Sequence, residues 1–385
     1  MAKKQTGPMD LYILIPVILL SSIGVIMVLS ASSAVAAAEN AENVYSVFYR
    51  QLVWLGIGYI GLIAAARTDY YKLKNLAMPG FIVAIVLLVA VLFSEPVNGA
   101  RSWINFGGFK FQPSELVKLL MVLILARSMS QKQYKMSSFN EGLLPVLVVT
   151  GILFGLILLE RDLGNAMAIA MTALIMLFAA GANMKHLMVM VSTAAAVAIA
   201  AVFSASYRMR RITAFLDPFG DKSDATYQIS QSLFAIGSGG LFGVGLGKSL
   251  QKYKHLPEQH TDFIFSILTE ETGFLGGIFV ILLFVFFAAR AYRAAKNCPD
   301  SFGSLLACGV TSMIMVEAMM NIAVATSSMP VTGVTLPFIS YGGSSLVFKL
   351  IGVGILLNVS RFSREPAKVV RISRSENNFS KGMEF

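Results

Sequence analysis

Asp262 is the carboxylate in this sequence that is best placed for chemistry. It lies in HTDFIF, where a long polar stretch meets an apolar run that begins at Phe263. A carboxylate at such a junction is poorly solvated, which tends to raise its pKa and suits it to act as a general base. The same pattern is typical of a helix N-cap, with Thr261 or Asp262 starting a helix that carries Glu270 and Glu271. Spacing alone leaves both interpretations open.

Glu115 and Lys118 form a second candidate site. They are three residues apart, on one helical face, just below the outer surface in a predicted membrane span. A local ion pair is the simpler interpretation. Ionisable groups inside a membrane are costly, however, and by default indicate a functional cavity. Since Arg101, Lys110 and Asp162 are predicted at the same depth, these five side chains together are candidates for lining one polar pocket.

Metal-binding patterns are weak. His186, His255 and His260 are scattered, so no metal site built from histidines is expected. Cys298 and Cys308 form neither a CxxC motif nor a disulfide framework, and we interpret them as small buried hydrophobic residues. A divalent cation such as Mg²⁺ or Mn²⁺, held by carboxylates or by the phosphates of a substrate, is compatible with the sequence, which indicates no ligands for it.

The glycine-rich segment GSGGLFGVGLGKS, Gly237 to Ser249, partly matches a phosphate-binding P-loop. That motif needs glycine at its first position, where this chain has Phe242. The segment is also predicted to lie outside the cell, where ATP is absent. Nucleotide binding is therefore not expected, and the glycines are better explained by tight turns or close approach to a ligand or helix.

These groups must be positioned by a largely apolar chain. Of its 385 residues, 56% are hydrophobic and 14% charged, with a mean hydropathy of +0.70, whereas soluble domains have about 25% charged residues. An ordinary soluble protein is excluded. The chain is predicted to be an all-α polytopic membrane protein with ten transmembrane helices, near Leu11–Ser33, Phe48–Ala66, Met78–Phe93, Ser114–Met129, Gly142–Leu159, Leu163–Gly181, His186–Ser204, Phe263–Ala289, Gly303–Thr326 and Ser340–Ser360.

Charge distribution predicts the topology. Lysine and arginine collect in alternate loops, which places both termini in the cytoplasm and explains the net charge of +10 without nucleic acid. The first run is too long for a secretory signal core and is interpreted as a retained helix. A large outer loop, 205–262, separates the seventh and eighth helices, and loops of this length usually carry function. Residues 1–367 form one predicted membrane domain, and 368–385 a disordered cytoplasmic tail.

Five blocks of sequence resemble the SEDS family of membrane glycosyltransferases, which shape, elongate and divide the bacterial wall. The resemblance covers nearly the whole chain. It is closest to the division type, FtsW, or the related sporulation type, SpoVE. The blocks are GARSWINFGGFKFQPSELVK (99–118), RRITAFLDPFGD (210–221), YQISQSLFAIGSGGLFGVGLGKSLQK (227–252), LPEQHTDFIFSILTEETGFLG (256–276) and MPVTGVTLPFISYGGSS (329–345).

The resemblance implies a function and a set of site residues. The family polymerises lipid II into glycan strands in the bacterial cytoplasmic membrane, alongside a class B penicillin-binding protein that crosslinks them and, in division, other divisome proteins. Asp262 corresponds to the family's essential aspartate. The substrate-binding candidates are Arg101, Glu115, Lys118, Asp162, Gln228, Gln231, Glu258 and His260.

The expected mechanism is a single in-line displacement. The donor sugar of lipid II is α-linked to pyrophosphate and the product is β-linked, so Asp262 would deprotonate the acceptor 4-hydroxyl as it attacks. Arg101, Lys118 or a divalent ion would stabilise the leaving pyrophosphate. Two other functions remain open: a lipid II flippase, which needs a polar path through the whole membrane, and a scaffold for the transpeptidase, for which Asp262 would be dispensable.

Two residues depart from the family pattern. Glu317 stands where division-type members usually have a neutral Gln, and Lys349 puts a charge in the last span. Each alone would cost at least about 2.5 kcal/mol at the bilayer centre. Because their helices are expected to be antiparallel neighbours, we predict a mutual ion pair facing the bundle interior. The alternative is that Lys349 snorkels or meets another carboxylate while Glu317 is protonated.

Overall fold

The protein is helical throughout most of its length. The computed structural model describes residues 7–38, 45–96, 100–106, 109–203, 209, 213, 215–220, 224–253 and 256–363. Eleven α-helices lie within these ranges: α1 Leu11–Ala38, α2 Ser46–Arg67, α3 Tyr70–Val91, α4 Pro113–Gln131, α5 Leu144–Leu159, α6 Leu163–Ala179, α7 Met184–Phe203, α8 Asp224–Ser238, α9 Ile264–Asn297, α10 Ser301–Ala325 and α11 Gly343–Ser360. A 3₁₀ turn, Gln133–Lys135, and a π-turn, Phe139–Leu143, precede α5.

The all-α prediction needs one correction. Two short strands, β1 Ile104–Phe106 and β2 Phe109–Phe111, pair antiparallel in the loop before α4. Apolar and polar residues alternate in both segments, and two glycines separate them in the sequence. Such a pattern is typical of a hairpin.

Each of the ten predicted spans corresponds to a helix, with altered bounds. Seven helices in the described residues are long and apolar enough to cross a membrane, and α6 is shorter; a count of ten crossings stays a prediction. The third helix begins at Tyr70 rather than Met78, because Asp69 caps it by accepting a hydrogen bond from the Tyr71 amide at 3.0 Å. Helix α8 was not predicted. The predicted tail, 368–385, lies outside the described residues.

Helices α4, α10 and α11 form the centre of the bundle. Most residues of all three are buried, and α10 contacts α4, α6, α9 and α11. Helix α11 packs along α2, and α1 packs against α9. The outer helices expose large apolar side chains, among them Ile60, Val86 and Leu282, as expected for surfaces that face lipid. Polar groups on the central helices are therefore shielded from both water and lipid.

The first and last described segments meet at one end of the bundle, which we call the basic end. The Gly7 amide donates to the Arg361 carbonyl at 2.8 Å, and the Asp10 amide to Ser360 Oγ at 3.0 Å. An ion pair of 2.6 Å joins Arg290 to Asp10. Asp262 lies at the opposite end, at the start of α9.

Candidate active site

Four buried charges form a closed ring inside the bundle. Lys118 Nζ lies 2.9 Å from Glu115 Oε1 and also pairs with Glu317. Lys349 Nζ lies 2.7 Å from Glu317 Oε2 and 3.3 Å from Glu115 Oε2. Each lysine therefore meets both carboxylates, and every side chain of the ring is at most 6% exposed. The predicted pair between Glu317 and Lys349 is confirmed, as one side of a four-membered ring.

Three helices supply the ring. Glu115 and Lys118 lie in the first turns of α4, Glu317 lies two turns before the end of α10, and Lys349 lies two turns into α11. At 1.5 Å per residue, the ring is about 10 Å below the Asp262 end. Its charges cancel, which is the arrangement in which burial of ions costs least.

The two ammonium groups of the ring also donate to neutral neighbours. Besides its two carboxylates, Lys118 donates to Asn165 Oδ1 at 2.8 Å, and Lys349 donates to Ser345 Oγ. An ammonium has three N–H groups, so Lys118 has no hydrogen left for a ligand in this conformation. Lys349 donates two hydrogen bonds, to Glu115 and Ser345, and meets Glu317 as an ion pair only.

Asp162 joins the ring through α6. Its carboxylate caps that helix, accepting from the Asn165 amide at 3.0 Å and from Asn165 Nδ2 at 2.7 Å. It also accepts from Gln112 Nε2 at 3.2 Å. Burial raises the pKa of Asp162 above its ordinary value, against the lowering effect of the two hydrogen bonds from Asn165. The prediction that Asp162 lies near Glu115 and Lys118 is confirmed, with Asn165 as the bridge.

Asp262 lies in a turn immediately before α9. The amides of Thr261, Asp262 and Phe263 all donate to the Glu258 carbonyl, at 3.1 to 3.3 Å. Phe263 occupies the N-cap position of α9 and makes no side-chain capping bond. The interpretation of Thr261 or Asp262 as the N-cap is therefore wrong.

The segment between α10 and α11 holds this turn in place. Ser340 Oγ donates to the Thr261 carbonyl at 2.6 Å, and the Tyr341 amide to the His260 carbonyl at 2.9 Å. Gly333 has a φ of +76°, and a Cβ there would lie 3.7 Å from Asp262 Oδ2. A backbone without side chain thus passes next to the carboxylate.

The other predicted site residues are distributed around this turn. Glu258 is exposed and accepts from Thr261 Oγ1 at 2.9 Å. The His260 ring packs against Tyr341, and burial lowers its pKa. Gln228 and Gln231 are partly buried on α8, which Ser232 joins to Ser266 and to the Ala325 carbonyl. His255 lies outside the described residues.

Arg101 and Lys110 do not join the ring. Both side chains are exposed. The Arg101 guanidinium donates to the Leu92 carbonyl at 3.0 Å, and its backbone amide donates to the Glu160 carbonyl at 3.0 Å. The expectation of one pocket lined by all five polar residues is therefore not met for these two: among the described residues neither side chain forms a hydrogen bond or ion pair with Glu115, Lys118 or Asp162.

A second buried charge cluster was missed in the sequence. Lys252 Nζ, 3% exposed, lies 3.1 Å from Glu271 Oε1, 3.1 Å from Ser30 Oγ and 2.6 Å from the Gly247 carbonyl. Ser30 in turn donates to Glu271 at 2.7 Å. The cluster ties the glycine-rich segment to α1 and α9.

Glycines make this attachment possible. Helix α9 is broken at Gly273, whose φ is +75°, and a Cβ there would lie 2.3 Å from the Gly243 amide nitrogen. A Cβ at Gly239 would lie 2.2 Å from the Thr269 carbonyl oxygen. Backbone bonds from Val244 to Glu270 and from Phe274 to Gly240 join the two segments, at 3.0 and 2.9 Å. Close approach to a helix, one of the two explanations offered for these glycines, is confirmed.

Glu160 is a further missed residue. It is fully buried, and neither of its carboxyl oxygens has a hydrogen-bond partner among the described residues. Burial, together with the neighbouring Asp162 charge, raises the pKa of Glu160 to about 9. The side chain is therefore protonated at neutral pH.

Comparison with known proteins places the chain in a family. The family model described as "Cell cycle protein", for the FtsW, RodA and SpoVE proteins, matches residues 10–365. The chain belongs to this family. The resemblance found in the sequence blocks is confirmed over nearly the whole length.

Two relatives and one solved structure illustrate the similarity. Stage V sporulation protein E of Bacillus subtilis (strain 168) is 44% identical over 367 residues, 94% of this chain and 100% of the relative. The "Probable peptidoglycan glycosyltransferase FtsW" of Geobacter sp. (strain M18) is 42% identical over 361 residues, 93% and 98% of the two chains. A chain from a structure on "Structural coordination of polymerization and crosslinking by a peptidoglycan synthase complex" matches with a TM-score of 0.75 and 29% identity, covering 92% of this chain and 98% of that one.

Proposed function

We propose that this protein is a peptidoglycan glycosyltransferase that polymerises lipid II into glycan strands during cell division, with Asp262 as general base. The observation that carries the proposal is the position of Asp262. Its turn is fixed by hydrogen bonds on both sides, at the loop-rich end of a membrane bundle. FtsW relatives 37–42% identical to the chain carry the same activity in their names.

The reaction would be an inverting displacement. Asp262 would accept the proton of the acceptor 4-hydroxyl while that oxygen attacks the anomeric carbon of the donor. Gly333 lies beside the carboxylate, and the absence of a side chain there would leave room for a sugar to approach. The leaving pyrophosphate would need a positive group, for which the exposed Arg101 is available, whereas Lys118 would first have to release one of its three acceptors.

A flippase is the competing function, and the distribution of buried charge favours the polymerase. The buried acidic and basic residues in the described part all lie in the half of the bundle nearer to Asp262: Glu115, Lys118, Glu160, Lys252, Glu270, Glu271, Glu317 and Lys349. A flippase would need a polar path through the other half as well. A scaffold function, in turn, would give no reason to fix the turn around Asp262 so closely.

The proposed topology has ten spans, both termini in the cytoplasm and the large loop between the seventh and eighth spans outside, in a bacterial cytoplasmic membrane. The meeting of Gly7 and Arg361 supports it, because ends on one side require an even number of crossings. Arg290 and Arg361 lie at that end, which by the positive-inside rule is cytoplasmic. Asp262 then faces outward, where lipid II is polymerised.

A divalent cation is proposed here as an ion bound to the substrate, not as one held by the described residues alone. They contain no group of three or more His, Cys, Asp and Glu side chains that could hold one. No step is assigned to such an ion, and a Mg²⁺ or Mn²⁺ ion bound to the pyrophosphate would enter with the substrate. The proposed protein partners are a class B penicillin-binding protein and other divisome proteins, which is supported by the match to a synthase complex that couples polymerization with crosslinking.

Glycan synthesis from purified lipid II tests the proposal. Asp262→Asn should lower the rate by about 10² to 10⁴, the usual contribution of a general base, with unchanged expression and partner binding. Asp69→Asn is the matched control, because Asp69 caps α3 at the basic end and Asn caps equally well. An Asp262→Asn protein with half of the normal rate would refute the assignment and favour the scaffold.

A further inference from the structure

Asn321 on α10 makes an unusual pair of contacts beneath the proposed active site. It is 1% exposed, and its Nδ2 donates to the Asp262 carbonyl at 2.7 Å and to the Val334 carbonyl at 2.8 Å. Both amide hydrogens are used. Its Oδ1 is buried without a partner among the described residues. A carbonyl oxygen can only accept a hydrogen bond, so Nδ2 and not Oδ1 must face the Asp262 and Val334 carbonyls. Oδ1 is left without a hydrogen bond, which is unfavourable for a buried oxygen.

This amide group fixes the backbone on which the proposed base is carried. The Asp262 amide already donates to the Glu258 carbonyl at 3.1 Å, so Asn321 completes the restraint of both peptide groups of Asp262. The carboxylate can then move only through its own side-chain torsions. Val334 directly follows Gly333, the residue that faces Asp262 Oδ2. One side chain therefore sets the spacing between the carboxylate and the backbone opposite it.

Asn321 lies on the same helix as one member of the charge ring. It lies four residues after Glu317, on the same face of α10. Glu317 is held by Lys118 and Lys349, so the helix that carries Asn321 is fixed against α4 and α11.

We propose that Asn321 is a positioning residue for the reaction, holding Asp262 against the Gly333 backbone. The inference rests on the proposed function, because it assumes that Asp262 is the base. A displacement of about 1 Å in a reacting group can cost on the order of 10² in rate. Loss of Asn321 should thus lower kcat while the affinity for lipid II changes little.

Asn358 offers a matched control for a purely structural role. It is 2% exposed, its Nδ2 donates to the Ala66 carbonyl at 2.8 Å, and its Oδ1 accepts from the Tyr70 amide at 3.0 Å. It is thus another buried asparagine that joins helices, but at the basic end. Asn321→Ala and Asn358→Ala should lower the melting temperature by similar amounts, whereas only Asn321→Ala should strongly reduce turnover.

The experiment measures kcat, KM for lipid II and melting temperature for Asn321→Ala, Asn358→Ala, Asp262→Asn and the double variant Asn321→Ala with Asp262→Asn. We expect kcat to fall 10- to 100-fold in Asn321→Ala with KM within about threefold. The double variant should be no slower than Asp262→Asn, because positioning has no value once the base is gone. Asn321→Ser, which keeps one donor, should retain more activity than Asn321→Ala and serves as the test if the alanine variant does not fold.

The outcomes separate this inference from the proposed function. An active Asp262→Asn protein would overturn the proposed function itself. An inactive Asp262→Asn protein combined with equal kcat in Asn321→Ala and Asn358→Ala would overturn only the role of Asn321. Multiplicative rate losses in the double variant would also overturn it, since independent effects show that Asn321 does not act through Asp262.

Discussion

Removal of the Lys349 ammonium should destabilise the protein through the charge it leaves behind. Lys349 is 1% exposed and contacts Glu317 at 2.7 Å and Glu115 at 3.3 Å. In Lys349→Met the apolar replacement has a similar length, so packing changes little. Two buried carboxylates then share the single ammonium of Lys118, and the neutral ring becomes a site with one net negative charge.

The size of the effect follows from the geometry of the ring. Leaving a buried charge without its partner costs about 3–5 kcal/mol. Lys118 still contacts both carboxylates, so we expect the lower end, about 3 kcal/mol. Adding Glu317→Gln restores neutrality and leaves the Glu115–Lys118 pair intact. The double variant should therefore regain about 2–3 kcal/mol relative to the sum of the single effects.

Denaturation of the detergent-solubilised variants gives the coupling energy. A second cycle with Glu115→Gln should show weaker coupling to Lys349→Met, because that contact is longer. The exposed pair Lys135–Glu141, with side chains 60% and 56% exposed, is the control and should show little coupling. Strictly additive losses for Glu317 and Lys349 would show that the two charges do not meet, and the ring would be wrong.

Two further predictions concern the outer segments. Burial raises the pKa of Glu160 to about 9 in the folded protein, from an ordinary 4.5, so the folded protein keeps a proton that the unfolded chain loses. The free energy of unfolding should therefore fall as pH rises from about 5 to 9, by up to about 1.4 kcal/mol per pH unit. Glu160→Gln should flatten this fall, as measured by thermal denaturation across the same pH range. Equal pH dependence in both proteins would refute it. Gly273→Ala should lower the free energy of unfolding by more than about 1–2 kcal/mol, because Gly273 has a φ of +75° and lies against Gly243. Gly151 has open space around it, so Gly151→Ala is the control and should be neutral or stabilising. Equal melting temperatures of the two variants would contradict this prediction.

The sequence predicted the helices well because the signal for each is local. A run of about 20 apolar residues identifies a membrane helix without knowledge of its neighbours. Helix α8 was not predicted because it lacks such a run: it is short, and its polar residues resemble those of the surrounding loop. Its attachment depends on Ser232, which contacts Ser266 Oγ at 2.6 Å and the Ala325 carbonyl at 2.7 Å. Such contacts between distant residues leave no periodic pattern.

The sequence predicted the part of the site that follows from the free-energy cost of burying a charge in a membrane. It did not predict which neighbours an individual side chain contacts. Glu317 and Lys349 were paired because two charges in apolar helices must find partners. Depth alone, however, could not show that the Arg101 guanidinium bonds to the Leu92 carbonyl and not to the ring. Asn321 and Lys252 gave no signal, since a buried asparagine and a loop lysine are ordinary residues until their partners are known.

The charge ring also constrains how the site would bind a pyrophosphate. Lys118 already donates to Glu115, Glu317 and Asn165, and Lys349 lies between two carboxylates, so an anion bound there would have to displace one of these partners or approach their negative charge. Arg101 has five side-chain N–H groups, of which one is used among the described residues. Arg101, which is exposed, could therefore bind the negative charge of a leaving group with a smaller loss of existing interactions than the ring lysines. The ring would then contribute rigidity, fixing the helix from which Asn321 holds Asp262.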